Sequence, residues 1–373
     1  MDLFVYGTLR SPQLMTAVAG MTPTGGASAT LPGFALHPLA GNVVPFIAPD
    51  PGAEVAGLIW DGIDDAAFAR LDLYEGAFGY VRDTIVVTTA AGERKVACYM
   101  PPPGLQAGPG PWSLAVWEAD HLAPACLAAA EVFAEDPPPD PATLRRMWPM
   151  IEARAWSRHR AKAAPAAQRF AAAPGDFAII EADPPTGRFF RFQAMNVRHR
   201  TFDGAQSDIM RREAFIGIDA AIVLPYDPVR DRVLLVEQAR LGPRLRHDPN
   251  PWMLEPVAGI VDAREHPAEA ARREGMEEAG VAFSELLPAG QFYVSPGASS
   301  DYFHTYVGLC DLPMDAPYAG GLPEEGEDLR VHPLSFDAAM DLADSGEIAT
   351  GPAMFLLYWL LRHRDRIRGT GAT

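Results

Sequence analysis

Three glutamates in the second half of the chain have the spacing needed to hold a divalent cation. Glu274 and Glu278 are four residues apart and Glu277 lies between them, so all three share one face if the segment is helical. Carboxylates this close repel one another on a bare helix, and a cation between them would remove that repulsion. Oxygen ligands in this number suit magnesium or manganese. A solvated acidic helix face is the alternative interpretation of these three residues taken alone.

The segment that carries these glutamates has clear helix boundaries. It reads GIVDAREHPAEAARREGMEEAGV from Gly259 to Val281. Pro267 stands where a first-turn proline belongs, and Gly280 stands where a C-terminal glycine belongs. These two signals predict a helix over Pro267–Ala279.

The spacing of Gly259, Glu265, Arg273 and the three glutamates resembles the Nudix box. In that box a bound metal neutralises pyrophosphate charge and activates a water for attack on phosphorus. Arg273 and Glu265 are predicted to pair and hold the loop against the helix; an ordinary surface ion pair of little energetic weight is the alternative. One position departs from the family, because Gly275 stands where a hydrophobic residue is expected. Glycine inside a helix costs roughly 1 kcal/mol relative to alanine.

Outside the box, the chain from about Phe189 to Arg366 resembles the ADP-ribose pyrophosphatase branch of this family. The landmarks are VRHRTFDG, RREAF, VLPYDPVRDRVLLVEQAR, WMLEPVAG, SPGASSD and EEGEDLRV. Pro296, about fifteen residues beyond the box, is a recurring mark of this branch. The resemblance implies magnesium- or manganese-dependent hydrolysis of ADP-ribose to AMP and ribose 5-phosphate.

The same resemblance implies roles for individual residues. The metal ligands would be the backbone carbonyl of Ala258 and the carboxylates of Glu274, Glu277, Glu278 and Glu327. Glu274 and Glu278 would also serve catalysis, and Glu325 would activate or orient the water. Arg212 and Arg240 would hold the substrate, and Phe189 would stack on adenine. Two of these residues have plain alternatives, since Arg212 lies between Arg211 and Glu213 and suits a surface ion pair, and Phe189 suits a core.

Two rival functions remain open for this half of the chain. Hydrolases of GDP-mannose and related sugar nucleotides share nearly the same landmarks. A nucleotide-sugar sensor without turnover is the rival of another class, although a binder has no need of the whole metal cluster. The family also pairs two chains through the first strands of the Nudix domain, so the resemblance implies a homodimer.

The start of the chain carries a second pattern, DLFVYGTLRSP at Asp2–Pro12. It is followed by GLIWDGID at Gly57–Asp64 and by LDLYEGAFGYVR at Leu71–Arg82. Together these segments resemble γ-glutamylcyclotransferase-like proteins, the group that includes AIG2-like domains. The reaction implied is attack of a γ-glutamyl α-amine on its own γ-carbonyl, which releases 5-oxoproline.

The resemblance assigns two elements to this second chemistry. Glu75 would take the proton from the amine. The turn formed by Tyr6, Gly7, Thr8 and Leu9 would present backbone N–H groups to the substrate carboxylate, because glycine permits close approach. Alternatively, Glu75 caps a helix or pairs with Arg82, and the domain binds a ligand or is purely structural.

The elements that must position these residues follow from the local patterns. Strands are predicted at Leu3–Tyr6, Glu54–Trp60, Tyr80–Thr88, Lys95–Met100, Phe177–Ile180, Phe189–Arg198, Ala220–Tyr226 and Val233–Gln238. Further helices are predicted at Asp64–Leu71, Trp117–Phe133, Ala142–Ala163 and Pro352–Arg366. The proline run in EDPPPDP at Glu135–Pro141 interrupts any helix and marks a boundary.

These patterns and resemblances predict an α+β protein of two domains. A γ-glutamylcyclotransferase-like β-barrel with helices is expected at residues 1–135. A helical and Pro/Ala-rich linker at 136–175 precedes a Nudix α/β/α sandwich with a mixed sheet at 176–373. The whole chain resembles bacterial Nudix proteins named for tellurite resistance, a phenotype for which these residues suggest no tellurium-binding site.

Composition excludes several classes of partner. The 373 residues exceed one ordinary core, and the formal net charge of -17 disfavours nucleic acid and acidic membrane surfaces. The three cysteines, Cys98, Cys126 and Cys310, show no metal-ligand spacing and are interpreted as reduced thiols. No apolar run reaches membrane-spanning length, and the start of the chain has no signal-peptide pattern. We therefore expect a cytoplasmic protein whose partner is a small nucleoside diphosphate sugar.

Overall fold

The chain folds as two compact units, Met1–Arg212 and Glu213–Thr373. The computed structural model describes residues 1–161, 165–323 and 326–369. Each unit has its own hydrophobic core. The predicted domain boundaries at residues 135 and 175 rest on the proline run, the Pro/Ala-rich composition and the family resemblances, and they stay predictions.

A closed five-stranded barrel forms the centre of the first unit. Its strands are β1 (Leu3–Val5), β2 (Thr24–Pro38), β3 (Pro45–Asp61), β4 (Val81–Thr89) and β5 (Gly92–Met100). They are ordered β1-β3-β2-β4-β5, and the parallel pairing of β1 with β5 closes the barrel. Closure removes the exposed strand edges that an open sheet of this size would present.

Helices pack against this barrel and against one another. They are α1 (Pro12–Ala19), α2 (Asp65–Gly76), α3 (Leu114–Val132) and α4 (Pro141–Arg160). Asp64 and Asp140 cap the N-termini of α2 and α4 by accepting backbone N–H groups, as short acidic side chains do. Helix α4 packs its apolar face on α3, and this joint cluster includes Val132, Leu144 and Ile151.

Three further strands follow α4, namely β6 (Phe177–Ala182), β7 (Arg191–His199) and β8 (Met210–Ile216). They form a separate sheet in the order β6-β7-β8. Large apolar side chains on this segment are exposed, including Phe177, Ile179, Phe189 and Phe190.

The second unit is built on a mixed eight-stranded sheet. Its strands are β9 (Asp219–Asp227), β10 (Arg232–Ala239), β11 (Trp252–Glu255), β12 (Val257–Ile260), β13 (Glu285–Tyr293), β14 (Tyr302–Leu309), β15 (Tyr318–Gly320) and β16 (Leu329–Ser335). The main path runs β13-β14-β9-β10-β16-β15, with β11 paired to β10 and β12 paired to β9. The β14–β9 pair is parallel and the other recorded pairs are antiparallel.

The second unit contains a short helix and three longer helices that pack on the sheet. They are α5 (Leu241–Leu245), α6 (Pro267–Ala279), α7 (Phe336–Ser345) and α8 (Gly351–Ile367). Helix α6 shares one core with the sheet, and α7 and α8 share another with its opposite face. The barrel and the helix-covered mixed sheet confirm the predicted fold class.

Most predicted elements overlap observed ones, and the helix Pro267–Ala279 has the predicted bounds. The helix predicted at Asp64–Leu71 extends to Gly76, which places Glu75 in its last turn. The sequence did not predict α1 or β2. Strand β2 is rich in Gly, Pro and Ala, and its extended form depends on pairing along nearly its whole length with β3.

Candidate active sites

Helix α6 carries the predicted cluster, and its ends are fixed by local sequence. His266 and Glu269 form a reciprocal capping box, Pro267 occupies the first turn, and Gly280 ends the helix in the left-handed conformation. These signals set the two ends of the helix. Packing of the helix on the sheet puts Glu274 and Glu278 on its buried face, at 8% and 2% exposure.

Strand β12 receives the two buried carboxylates. A Cβ on Gly259 would lie 1.8 Å from Glu274 Oε1, so only glycine leaves room for that carboxylate. The backbone N–H of Ala258 donates to Glu278 Oε2 at 3.0 Å. The leading glycine of the motif therefore serves close packing of the acidic helix on the strand.

Arg273 joins the loop before α6 to the acidic face. Its Nε donates to Glu265 Oε1 and its Nη2 donates to Glu265 Oε2, each at 3.1 Å. This bidentate ion pair confirms the predicted pairing of Arg273 with Glu265. Arg273 Nη1 donates to Glu274 at 2.6 Å and to Glu277 at 2.9 Å, and Nη2 also donates to the carbonyl of Ile260 at 3.0 Å. One guanidinium thus holds the loop, the strand and two carboxylates together.

The buried carboxylates are strongly perturbed. Burial raises the pKa of Glu274 to about 7. Arg273 opposes that rise, and the carboxylates of Glu277 and Glu327 add to it. Burial also raises the pKa of Glu278 to about 8; the Ala258 N–H opposes that rise, and Glu274 and Glu327 add to it. Desolvation and like charge act together here, so negative charge is held in an environment that disfavours it.

Two more predicted residues lie within electrostatic reach of this cluster. Glu327 accepts the backbone N–H of Leu322 at 3.0 Å and raises the pKa of both buried glutamates. Arg240 forms an ion pair with Glu255 at 2.7 Å and lowers the pKa of Glu278. Glu325, the predicted water-activating residue, lies outside the described residues.

The donor set fits a hard divalent cation. It consists of carboxylate oxygens from Glu274, Glu278 and Glu327, with Glu277 beside them, and such oxygens suit magnesium or manganese. The charge that burial disfavours is the charge a cation would neutralise. Within the ranges 1–161, 165–323 and 326–369, no three His, Cys, Asp or Glu side chains already converge as a finished metal site.

Glu255 is a residue of this site that the sequence analysis did not single out. It lies in the landmark WMLEPVAG, at the end of β11, and it fixes Arg240. The pairing of β10 with β11 places Glu255 beside Val236. The ion pair between Arg240 and Glu255, fifteen residues apart in the chain, therefore depends on the register of these two strands. The WMLEPVAG segment, which contains Glu255, was the sequence signal that could have identified this residue.

A separate candidate site lies in the first unit, around Glu75 in the last turn of α2. Burial raises the pKa of Glu75 to about 7. Glu75 in turn raises the pKa of Tyr6, Tyr80 and Tyr99, whose own burial is the larger cause. Arg82, the alternative partner, pairs instead with Asp72 at 3.0 Å. Among the residues that the structure describes, no hydrogen bond or ion pair neutralises the Glu75 carboxylate.

The predicted turn follows β1 and is held by contacts of its own. Tyr6 follows β1 and donates its hydroxyl to the carbonyl of Tyr99 at 3.0 Å, while Thr8 begins a short 3₁₀ turn at Thr8–Arg10. The carbonyl of Leu9 accepts the indole N–H of Trp60 at 3.0 Å. A Cβ on Gly7 would lie 3.2 Å from Pro45, a tight contact that glycine avoids. Within this turn Tyr6 is the residue whose pKa Glu75 raises, so these two side chains lie within electrostatic reach of one another.

Two predicted substrate residues belong to the first unit and lie apart from both clusters in sequence. Phe189 is 53% exposed and makes an edge contact with Phe190, with ring centroids 4.9 Å apart. Arg212 is exposed and donates to the carbonyl of Arg211 and to the sulfur of Met210. Phe189 is therefore not a core residue, and no ion pair of Arg212 occurs in the described part of the chain.

Comparison with known proteins identifies both halves of the chain. A family model described as "NUDIX domain" matches residues 218–347, and one described as "Gamma-glutamyl cyclotransferase, AIG2-like" matches residues 3–118. The ADP-ribose pyrophosphatase of Escherichia coli (strain K12) is 36% identical over 197 residues, which are 53% of this chain and 93% of that protein. The two resemblances seen in the sequence are confirmed.

Two further relatives match the same half. The ADP-ribose pyrophosphatase of Haemophilus influenzae is 36% identical over 174 residues, 46% of this chain and 80% of that protein. The GDP-mannose pyrophosphatase of Salmonella arizonae is 30% identical over 159 residues, 43% of this chain and 81% of that protein. Each of these alignments covers about half of this chain.

Proposed function

Because the chain belongs to the Nudix family through its C-terminal domain, we propose that this domain hydrolyses the pyrophosphate of ADP-ribose, giving AMP and ribose 5-phosphate. The observation that carries the proposal is the buried carboxylate pair, Glu274 and Glu278, held against β12 and coupled to Glu327 and Arg240. A sensor would gain nothing from burying two carboxylates whose ionised form this environment disfavours. The relatives named ADP-ribose pyrophosphatase support the choice of substrate.

The proposed cofactor is magnesium, with manganese as a substitute. Glu274, Glu277, Glu278, Glu327 and the carbonyl of Ala258 would hold it, and when bound it would neutralise pyrophosphate charge and lower the pKa of a water. Arg273 holds the acidic face in place through Glu265 and Ile260. Arg240 and Arg212 would bind substrate phosphates, Phe189 would stack on adenine, and Glu325 would orient the water.

The test is release of AMP from ADP-ribose with magnesium, for the wild type and for Glu278→Gln. We expect the variant to lose at least about a hundredfold in kcat, the scale of a lost general base or metal ligand. Glu285→Gln is the matched control, since it removes one exposed carboxylate of the same domain. Equal activity of Glu278→Gln and wild type would contradict the proposal, as would activity unaffected by removal of all divalent metal.

GDP-mannose hydrolysis is the second candidate for the same site, favoured by the similarity to a GDP-mannose pyrophosphatase. It uses the same cluster and differs only in the base and sugar. Ranking kcat/KM for ADP-ribose and GDP-mannose on the same preparation decides between them. Binding of either compound without turnover would instead support a sensor.

For the first domain we propose γ-glutamyl cyclotransferase activity. The observation that carries it is Glu75, a carboxylate with a pKa of about 7, within electrostatic reach of Tyr6 and without an ion-pair partner in the described residues. Glu75 would take a proton from the substrate α-amine, which attacks the γ-carbonyl; the amide C–N bond breaks, 5-oxoproline forms and the amine leaves with a proton. Release of 5-oxoproline from a γ-glutamyl amine should be lost in Glu75→Gln and kept in Glu93→Gln, an exposed control.

We also propose that two copies pair through the sheet β6-β7-β8. The exposed side chains of Phe177, Ile179 and Ile180 give this segment an apolar surface of the kind that marks an interface. Light scattering should give twice the chain mass for the wild type. Phe177→Asp should shift the protein to the monomer; a monomeric wild type would contradict the pairing.

A cytoplasmic location is proposed on the chemistry of the thiols. Cys98, Cys126 and Cys310 are free in the structure, which suits a reducing compartment. None of the helices in the described ranges is long and apolar enough to cross a membrane. Fractionation of cells that produce the protein tests this location.

A further inference from the structure

Four tyrosines of the first unit lie within electrostatic reach of Glu75. Burial is the largest cause of the raised pKa of Tyr6, Tyr74, Tyr80 and Tyr99, and the charge of Glu75 adds to it in each case. A phenol with a raised pKa stays protonated at neutral pH, so it acts as a hydrogen-bond donor rather than as a base. Which of these hydroxyls can serve a substrate depends on how each is already bonded.

Two of the four hydroxyls are donated to the protein itself. The Tyr6 hydroxyl donates to the carbonyl of Tyr99 at 3.0 Å, and the Tyr99 hydroxyl donates to Asp72 Oδ1 at 2.7 Å. Arg82 lies 3.0 Å from the other carboxylate oxygen of Asp72, so this acceptor is itself held in place. Neither hydroxyl can turn to a substrate without breaking a hydrogen bond.

The third tyrosine, Tyr74, faces the helices that follow the barrel. It is 9% exposed, and its ring makes edge contacts with Phe78 and Trp148, with centroids 5.9 Å and 5.7 Å away. Glu152 of α4 and Cys126 of α3 also raise its pKa, so its hydroxyl lies toward those two helices. The Tyr74 side chain thus belongs to the packing of α2 on α3 and α4.

Tyr80 is the remaining tyrosine, and its backbone is fixed beside Glu75. Its N–H donates to the carbonyl of Glu75 at 3.1 Å, in the turn between α2 and β4. Its side chain is half-buried and packs on the core of the first unit. Within residues 1–161, 165–323 and 326–369, the Tyr80 hydroxyl makes no hydrogen bond. Tyr80 therefore combines a fixed position next to Glu75 with a donor that the described part of the chain does not use.

Ring closure of a γ-glutamyl amine needs such a donor. When the α-amine attacks the γ-carbonyl carbon, the C=O π electrons move to oxygen and form an oxyanion; when the amide C–N bond breaks, they form the carbonyl again. Glu75 takes the amine proton and returns it to the leaving amine, and the family resemblance assigns the N–H groups of the Tyr6–Leu9 turn to the substrate carboxylate. A fixed donor at the oxyanion is a large source of rate acceleration in acyl transfer.

We propose that Tyr80 is a catalytic residue of the first domain: its hydroxyl donates a hydrogen bond to the γ-carbonyl oxygen of a γ-glutamyl amine and stabilises the oxyanion that forms during ring closure. The inference rests on the proposed cyclotransferase activity. No proton leaves Tyr80 in the reaction, because the transferred proton passes through Glu75. The hydroxyl and the carboxylate therefore have separate functions, one binding the developing charge and the other transferring the proton.

The test measures release of 5-oxoproline from γ-glutamyl methylamide by the full chain and by three Tyr→Phe variants. We expect Tyr80→Phe to lower kcat about a hundredfold, the scale of one lost oxyanion donor, with KM within about twofold. Tyr74→Phe removes the same atom one residue from Glu75 and should keep both constants, so it is the matched control. Tyr99→Phe should lose much less than Tyr80→Phe, because its hydroxyl is bound to Asp72. Equal kcat of Tyr80→Phe and wild type would overturn the inference, as would equal losses in Tyr80→Phe and Tyr99→Phe.

A sulfur-substituted substrate separates oxyanion stabilisation from a structural effect. In the γ-thioamide of the same compound, sulfur replaces the γ-carbonyl oxygen and is a weak hydrogen-bond acceptor. The ratio of kcat between wild type and Tyr80→Phe should therefore fall toward one with the thioamide. A ratio equal to that for the oxygen substrate would mean that Tyr80 does not contact this atom.

The pH dependence of kcat/KM gives a second independent measurement. The inflection near pH 7 should persist in Tyr80→Phe, because the pKa of Glu75, about 7, determines it. Loss of this inflection would make Tyr80 part of the proton transfer and would overturn its assignment as a donor to the oxyanion.

The outcomes distinguish the two proposals. A wild type that releases no 5-oxoproline from any γ-glutamyl amine refutes the proposed activity of the first domain, and the role of Tyr80 with it. A wild type that is active, and that loses activity in Glu75→Gln but not in Tyr80→Phe, leaves the proposed activity intact and refutes the role of Tyr80 alone.

Discussion

Glu75 shows how one residue's surroundings can set both its chemistry and its effect on stability. It sits in the last turn of α2, among the tyrosines Tyr6, Tyr80 and Tyr99, and none of them compensates its charge. A carboxylate left in this state is disfavoured as an ion at neutral pH. The raised pKa that suits Glu75 as a general base therefore lowers the stability of the folded protein at neutral pH.

This cost predicts a pH-dependent gain in stability for Glu75→Gln. The pKa is raised from 4.5 to about 7 in the folded state, so the folded protein keeps a proton that the unfolded chain has lost between these values. The free energy that Glu75 contributes to the stability of the wild type is fully present below pH 4.5, and it is lost as pH rises through about 7. Glutamine does not titrate, so the variant should be more stable than wild type at pH 8, by up to about 3 kcal/mol, and similar at pH 4.5.

Urea unfolding at the two pH values measures this difference. The same variant should lose 5-oxoproline release, while wild-type activity should rise as pH increases through about 7. A variant that is less stable than wild type at pH 8 would mean that Glu75 has a compensating partner in the folded state.

At the scale of elements, helix α6 contains one residue, Gly275, that disfavours the helix but suits what packs against it. Gly275 costs helix propensity, yet a Cβ there would lie 2.4 Å from the ring of Phe283. Phe283 belongs to the core shared by α6 and the sheet. The glycine that departs from the family pattern therefore makes room for an aromatic ring.

Gly275→Ala should consequently destabilise the protein despite its better helix propensity. Propensity favours alanine by roughly 1 kcal/mol, whereas overpacking a close-packed core costs about 1–3 kcal/mol. Thermal unfolding should show a lower Tm for the variant. Adding Phe283→Leu should restore part of the loss, and a Gly275→Ala protein more stable than wild type would show that the ring moves aside freely.

The turn between β9 and β10 anchors the last helix in a comparable way. Asp231 has a φ of +57° and accepts from the Tyr226 hydroxyl, Arg364 Nε and Arg368 Nη1, each at 2.8 Å. Left-handed backbone is tolerated by Asp and Asn better than by Ala. The side chain and the backbone conformation of this residue therefore both stabilise the attachment of α8.

Asp231→Ala should cost about 3 kcal/mol, because it leaves the largely buried Arg364 without its main partner. Asp231→Asn should cost less, since it keeps the backbone preference and one acceptor. Asp337→Asn is the control, because Asp337 also meets Arg364, at 3.3 Å, but is 81% exposed. Free energies of unfolding in urea should rank the three variants in this order; equal losses for Asp231→Ala and Asp337→Asn would contradict it.

At the scale of the whole molecule, the compact units do not end where the family resemblances do. The first unit continues to Arg212, past the barrel, α3 and the proline run. Helix α4 covers Ala128 and Val132 of α3, and its Arg154 neutralises the buried Glu131. A segment with the composition of a connector thus completes a core.

Fragments of the chain test this organisation. A fragment of residues 1–135 exposes the α3 surface and leaves Glu131 without its buried arginines, so we expect low solubility and no cooperative unfolding. A fragment of residues 1–212 should unfold cooperatively, as followed by far-UV circular dichroism. Cooperative unfolding of the shorter fragment with an unchanged Tm would show that α4 adds nothing to the barrel.

The sequence by itself determined the features that depend on neighbours along the chain. The bounds of α6 follow from its capping residues, and the common face of Glu274, Glu277 and Glu278 follows from helical periodicity. Both family resemblances also rest on short segments in which the order of residue types is itself the signal. These relations require no knowledge of what packs against them.

Only the tertiary structure decided relations between residues distant in the chain. The pairing of Arg240 with Glu255 depends on strand register, and the fit of Glu274 against Gly259 depends on how α6 packs on β12. The buried ion pairs of Glu131 with Arg154 and Arg191 join residues from α3, α4 and β7, and no local sequence pattern relates them. Burial is likewise a property of the assembled core, so the raised pKa values of Glu75, Glu274 and Glu278 arise only once the chain has folded.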